Sequence, residues 1–291
     1  MSLQPFFQTT VHGKFIVAGE HAVLRGSPAL VFPVRSRQLS LKYMPSRRPL
    51  EIKSAQEGQV ELIAMGLVEK ALSLLEHSKS ELQGELMFDN TIPVGSGLGA
   101  SAALCVSVAR LLEWKGWLNS EELYEFAREL ENIFHGESSG VDIAVAALDT
   151  PILFERGGRR QKFKPAWTPH WTLSHCGARG LTSDAIARVK QLIADEPERA
   201  AMLDAQMKAS VLAACEALSA PGGEALLAKA LNEAGRCFRD WGLTQGLLDQ
   251  KMNELRERGA LAVKPTGSGL GGYILSLWPG EPPAGLNLLK I

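Results

Sequence analysis

The chain has 291 residues, 45% of them hydrophobic and 22% charged, the composition of an ordinary globular protein with room for two domains or one large one. Lys plus Arg number 31 against 32 Asp plus Glu, so no global field points to nucleic acid or to a charged membrane surface. No apolar run approaches the ~20 residues that cross a bilayer, and four widely spaced cysteines without a CxxC pair argue against structural zinc and a disulfide framework.

In chain order, Val11–Gly19 (VHGKFIVAG) reads as a strand that breaks at its glycine, and Glu20–Pro28 as a loop. Ala29–Val34 and Gln38–Met44 read as two further strands, the second with Leu39, Leu41 and Tyr43 on one face. After a polar turn at Arg47-Arg48-Pro49, Leu62, Met65, Val68, Leu72 and Leu75 fall at helical spacing within Val60–Leu75. Glu85–Asn90 is a short strand that feeds Pro93–Leu104, PVGSGLGASAAL. There Gly95, Gly97 and Gly99 open a helix that continues through Val106, Val108, Leu111 and Leu112.

Glycine permits positive φ and close approach of a ligand to the backbone. A helix start offers N–H groups without internal partners, and its dipole favours an anion. Phosphate is therefore the candidate ligand of this loop, with a plain turn before a buried helix as the alternative. The loop is not a Walker A sequence, because no Lys follows the last glycine, and it fits a dinucleotide fingerprint poorly. A cation for phosphate must come from elsewhere in the chain.

Ser120 starts a helix to about Phe134, with Ser-Glu-Glu-Leu suited to an N-cap and an acidic first turn. His135–Gly140 (HGESSG) is a second loop, Val141–Leu148 a short apolar helix and Ile152–Phe154 a strand. The basic run from Arg156 to Lys162 reads as a solvated turn. Past Pro169, one strand (Trp171–Cys176) is followed by helical stretches at about 182–194, 199–219, 223–238 and 244–258. Thr182 or Ser183 is placed to cap the first of them. Ala262-Val263, a third glycine loop (Lys264–Gly272, KPTGSGLGG) and the strand Tyr273–Trp278 close the chain. Strands first and helices later argue α+β, with a domain boundary near 155–170.

Two charged residues stand out. Lys14 lies inside an apolar strand, where a lysine must snorkel, pair or serve a site. Asp142 opens an apolar helix, as a cap or as a functional carboxylate. Phosphoryl transfer needs a polyphosphate cradle, a cation at the transferred group, a ligand for Mg²⁺ and a group for the acceptor hydroxyl. The glycine loop can supply the cradle, Ser101 or Glu131 an oxygen for the metal, and Asp142 the acceptor of the hydroxyl proton, with a nearby Lys14 to keep that carboxylate ionised and polarise the hydroxyl.

Four stretches carry a resemblance, in order: Gly13-Lys14-Phe15 through Gly19-Glu20-His21-Ala22-Val23 to Pro28-Ala29-Leu30; Pro93–Ala103; His135-Gly136 with Ser139-Gly140-Val141-Asp142; and Lys264–Gly272. The chain resembles the GHMP kinases, and within them the mevalonate kinases, whose GEHAV…G…PAL form the first stretch follows. The resemblance implies a two-domain GHMP kinase-like α+β fold. Residues 1–163 would hold a mixed sheet with a left-handed-type βαβ unit, and residues 164–291 a helix-rich α/β sandwich. It implies ATP and Mg²⁺, with mevalonate as acceptor. Lys14 and Asp142 would be the catalytic pair, and Ser101 and Glu131 the magnesium ligands. Glu20, His21, Ser139 and Thr266 would line the acceptor pocket. Pro93, Gly95, Ser96, Gly97, Leu98, Gly99, Ala100, Ser101 and Ala102, with Gly267, Ser268 and Gly269, would surround ATP.

There are three departures from the family pattern: Ala100 replaces the first of two serines, Glu137-Ser138 replaces Asn-Pro, and Leu270 replaces a glycine. A kinase of phosphomevalonate, with Arg35, Arg37 and Lys42 as extra phosphate ligands, and a catalytically silent sensor on the same fold are the other readings. The family suggests a homodimer. The start of the chain has neither a basic segment nor an apolar signal core, so a cytoplasmic protein is expected, without nucleic-acid or membrane partners.

Overall fold

The computed structural model describes residues 6–55, 59–135, 138–158 and 160–291. The chain forms two compact units that interleave along the sequence. The first gathers the segment up to Gly13, Arg37–Pro93 and Gly99–Asp149; the second gathers Lys14–Ser36, Val94–Leu98 and Thr150–Ile291. No single cut of the sequence separates them.

In the first unit, strand β1 (Phe7–Ala18) contributes its residues up to Gly13 and β2 (Ala29–Pro45) its residues from Arg37. The two strands expected at 29–34 and 38–44 are thus one, because the polar stretch Arg35-Ser36-Arg37 stays extended. Strand β3 (Glu51–Ser54), helix α1 (Gln59–Leu74) and β4 (Gly84–Asn90) follow. β4 runs antiparallel to β2 from Leu39↔Asn90 to Pro45↔Gly84, and parallel to β3 from Glu51↔Glu85 to Ser54↔Phe88. A βαβ unit with α1 as its crossover results.

Helix α1 turns Ala64, Leu67, Val68, Ala71 and Leu72 inward, while Leu62 is 73% exposed. The buried stripe is therefore displaced from the expected one, which had counted Leu62 and Met65 as core. Helix α2 (Ala100–Trp114) is buried on nearly every face, from Ala102 to Leu112, as its uniformly apolar sequence demands. It packs against α1, α3 (Leu123–His135) and α4 (Val141–Leu148). Helix α3 starts three residues later than its Ser120 signal: Glu122 Oε2 accepts from the Asn119 side chain at 2.9 Å and closes a turn ahead of the helix.

In the second unit, β5 (Ile152–Phe154) pairs antiparallel with Ala29–Val31 of β2 and with β6 (Arg160–Lys162). The basic run is thus one arm of a hairpin as well as a turn. Strand β7 (Trp171–His175) precedes helices α5 (Thr182–Asp195), α6 (Pro197–Ser219), α7 (Glu224–Asp240) and α8 (Leu247–Glu257). Thr182 is the first residue of α5 and Leu181 its cap, so neither Thr182 nor Ser183 caps it. Strands β8 (Ala262–Thr266), β9 (Tyr273–Leu277) and β10 (Leu289–Lys290) complete an antiparallel sheet in the order β10-β7-β9-β8. Helices α7 and α8 pack on β8, and α6 on α7.

The sheets and helices give the expected α+β class. All four cysteines are free, three of them buried and Cys215 half-buried. Among the described residues no helix is long and apolar enough to cross a membrane.

Candidate active site

The sequence-predicted residues fall into two groups, one in each unit. In the second unit, β1 ends at Ala18 and the chain turns through Gly19, Glu20 and His21 into a short 3-10 turn, Ala22–Arg25. Lys14 on β1 is 3% exposed and Glu20 2%, so both charges leave bulk water. A buried charge is tolerable only when paired. Glu20 Oε1 pairs with Nζ of Lys264 on β8, and that ammonium also donates to the Ile16 carbonyl at 3.1 Å. Burial pushes the Glu20 carboxyl up and the Lys264 ammonium down, and each charge opposes the shift of the other. Lys14 acts electrostatically on both. Removing one partner of such a buried pair costs roughly 3–5 kcal/mol.

His21 sits at φ 58°, a backbone conformation that side chains rarely adopt. It is held there by its ring. Nε2 donates to the Ser268 carbonyl at 2.8 Å, and Phe238 and Trp241 meet the ring edge-on at 5.9 and 5.4 Å. Because a carbonyl only accepts, the proton is on Nε2 and Nδ1 is left as an acceptor. Burial lowers the pKa to about 4, so the ring is neutral at physiological pH. Arg25, bidentate on Asp204 at 2.5 Å, fastens the same turn to α6. Thr266 spends its hydroxyl on β1, accepting from the Ile16 amide at 2.8 Å.

The phosphate-loop candidate is built against these elements. Within Val94–Leu98, the Leu98 carbonyl accepts from the Lys14 amide at 3.0 Å. A Cβ at Gly272 would lie 2.8 Å from the Ser96 carbonyl, so the third glycine loop, which joins β8 to β9, supports the second at backbone distance. Gly95, Gly97 and Gly99 all have positive φ, and Gly99 is the N-cap of α2. The helix start thus has the open amides and dipole that favour phosphate. Ala100 and the half-buried Ser101 are its first two residues, and Ala102 is buried beneath them.

In the first unit, Glu131 on α3 is 2% exposed. Its Oε2 accepts from the Ser138 hydroxyl. Burial, with the Glu131 charge, pushes the Cys105 thiol up. Cys105 lies one turn beyond Ser101 on α2, so the Glu131 charge is felt on the side of the helix that carries the serine. One carboxylate and one hydroxyl are hard oxygen donors, and Mg²⁺ bound with a nucleotide needs few protein ligands beside phosphate and water. The pair fits the cation that the resemblance implies.

Asp142 is the second residue of α4, half-buried, and the cap position belongs to Gly140. Ser138 and Ser139 accept from the Gly140 and Val141 amides at 3.0 and 3.3 Å and tie the turn into the helix. Tyr124 donates to the Gly140 carbonyl at 3.3 Å and closes the turn from below. The departure at Glu137 lies outside the described residues.

A model of the GHMP kinases N-terminal domain matches residues 66–150. The mevalonate kinase of Archaeoglobus fulgidus is 30% identical over 281 residues, 96% of this chain and 94% of that one. The chain belongs to the mevalonate kinase family of GHMP kinases. Its fold is likewise that of the L. major mevalonate kinase in complex with R-mevalonate, at a TM-score of 0.77 and 24% identity over 94% of this chain and 87% of that one. The mevalonate kinase of Methanococcus jannaschii has the same TM-score at 14% identity, covering 95% and 92% of the two chains.

As a mevalonate kinase family member, the chain absorbs one of its departures visibly. Leu270 takes the left-handed conformation, φ 61°, that a glycine would take freely, and its amide donates to the Leu243 carbonyl at 2.8 Å. The loop geometry survives the side chain. Of the candidate extra phosphate ligands on β2, Arg35 and Lys42 are exposed and Arg37 is half-buried. Sequence reasoning gave no role to Lys264 or Ser138. Lys264 carries the signal already used for Lys14, a lysine inside a buried strand; Ser138 carries none, because only the fold brings it to Glu131.

Proposed function

We propose that the chain transfers the terminal phosphoryl group of ATP to the primary hydroxyl of mevalonate, giving mevalonate 5-phosphate and ADP. The likeness to the Archaeoglobus fulgidus mevalonate kinase along almost the whole of both chains carries this reading. The hydroxyl oxygen attacks the terminal phosphorus, the bond to the bridging oxygen breaks, and the hydroxyl proton goes to Asp142. Lys14 supplies positive charge to the oxygens that gain negative charge in this step. The amides of Gly95–Ala102 hold the phosphates, with Gly267, Ser268 and Gly269 behind them. Ser101 and Glu131 would hold Mg²⁺, which would neutralise phosphate charge. Glu20, His21, Ser139 and Thr266 are the residues assigned to the acceptor in this reading. A carboxylate and a neutral imidazole with a free Nδ1 suit hydroxyl donors better than a second phosphate, which favours mevalonate over phosphomevalonate.

The remaining features belong to the same proposal. Residues 1–163 and 164–291 are its two sequence domains, the active form is a homodimer, and the protein works in the cytoplasm on small molecules alone.

Asp142→Asn tests the base. Loss of a general base lowers turnover by about 10²–10⁴-fold. Titration of the purified variant with ATP should give a dissociation constant close to wild type, while kcat with mevalonate falls in that range. Wild-type kcat in Asp142→Asn removes the carboxylate from the proton path.

A further inference from the structure

The Glu20–Lys264 pair has an asymmetry that burial makes costly. Oε1 of Glu20 is taken by the Lys264 ammonium, whereas Oε2 is buried with no hydrogen-bond partner among the described residues. A buried carboxylate oxygen left without a donor is destabilising, and such an atom persists where a ligand satisfies it. The donor side is over-built by comparison. Lys264 is fully buried, its ammonium is shared between Glu20 and the Ile16 carbonyl, and it stands 5.4 Å over the ring of Phe238. Phe238 also meets the ring of His21 edge-on. One lysine therefore touches three things that set the shape of the turn at 19–21: the end of β1, the Glu20 carboxylate and the ring behind His21. Gly235 of α7 packs against it, where an added Cβ would lie 3.4 Å from Lys264 Cβ.

We infer that Lys264 is a positioning residue for the acceptor pocket, holding Glu20 by Oε1 so that Oε2 stands fixed as an acceptor for a hydroxyl of the substrate. The inference rests on the reading of Glu20 and His21 as acceptor-pocket residues. Lys264 touches no reacting atom. Its effect passes through Glu20, so it should appear in the affinity for the alcohol and not in that for ATP.

The test is a double-mutant cycle with Lys264→Met, Glu20→Gln and the two combined. Each protein is measured for thermal midpoint and for KM with mevalonate and with ATP. Lys264→Met should raise KM for mevalonate by about tenfold or more and leave KM for ATP within about twofold. Glu20→Gln should do the same. The combined variant should match Glu20→Gln, because Lys264 has nothing left to hold, and it should regain thermal stability over Lys264→Met because both charges are gone. Should Lys264→Met fail to fold, the comparison of the combined variant with Glu20→Gln decides alone. Additive KM effects, equal effects on ATP, or recovery of wild-type KM together with stability in the combined variant would each overturn the inference. Failure of the wild-type protein to phosphorylate mevalonate defeats the pocket reading itself; wild-type turnover with an indifferent Lys264→Met defeats only the role of the lysine.

Discussion

His21 combines a positive φ, a hydrogen bond to the Ser268 carbonyl and two edge-on aromatic neighbours. Strain of this kind persists only where the surroundings over-determine it, and it marks sites where geometry has a use. Burial has a measurable consequence. An unfolded histidine takes a proton near pH 6.5, but here the pKa is lowered to about 4. Between those values the unfolded chain binds the proton and the folded one does not, so stability is full above pH 6.5 and falls as the pH drops towards 4. Linkage sets the loss at about 3 kcal/mol. Urea unfolding at pH 7 and pH 4.5 should show a smaller acid loss in His21→Gln than in wild type. Parallel losses would mean that the ring is protonated in the folded protein. The side chain itself was legible in the GEH sequence; its neutrality was not, because Phe238, Trp241 and Ser268 come from more than 200 residues away.

At the level of elements, the second glycine loop depends on the third. Gly272 has φ 80°, and a methyl group there would meet the Ser96 carbonyl at 2.8 Å. Gly222, between α6 and α7, has φ 82°, and a methyl group there would meet no atom within 4 Å among the described residues beyond its chain neighbours. Gly272→Ala and Gly222→Ala should each lose about 1–2 kcal/mol to the left-handed backbone. Only Gly272→Ala should also raise KM for ATP, by several-fold, because only there does the loop behind Ser96 have to move. Equal KM values for the two variants would show the loops to be independent.

Both loops were legible as glycine-rich turns, and the third joins the antiparallel strands β8 and β9. Their mutual support was not legible, because nothing in either sequence names the other. The elements missed are the short ones. β3 has a single apolar residue, Ile52, and β6 (Arg160–Lys162) has none, so alternation had nothing to register. Helix α1 was found by its period, but its stripe was misplaced because apolar residues lie on two faces, and packing alone decides which of them is buried.

For the whole molecule, the order of the motifs told more than composition did. Four stretches, each ambiguous alone, belong together on one fold, and that fold interleaves its units, so the shift in character near residue 160 does not divide the contacts. Interleaving leaves no trace in a local window: β1 and β2 each run without a break through both sets of contacts. The chemistry that remains open to measurement is the acceptor. Purified protein with ATP and Mg²⁺, in a coupled ADP-release assay, should be offered mevalonate, phosphomevalonate, homoserine and galactose. Saturable turnover on mevalonate, with the other three near background, is the result expected. Turnover on phosphomevalonate in preference to mevalonate, or ATP binding with silence on all four, would contradict it.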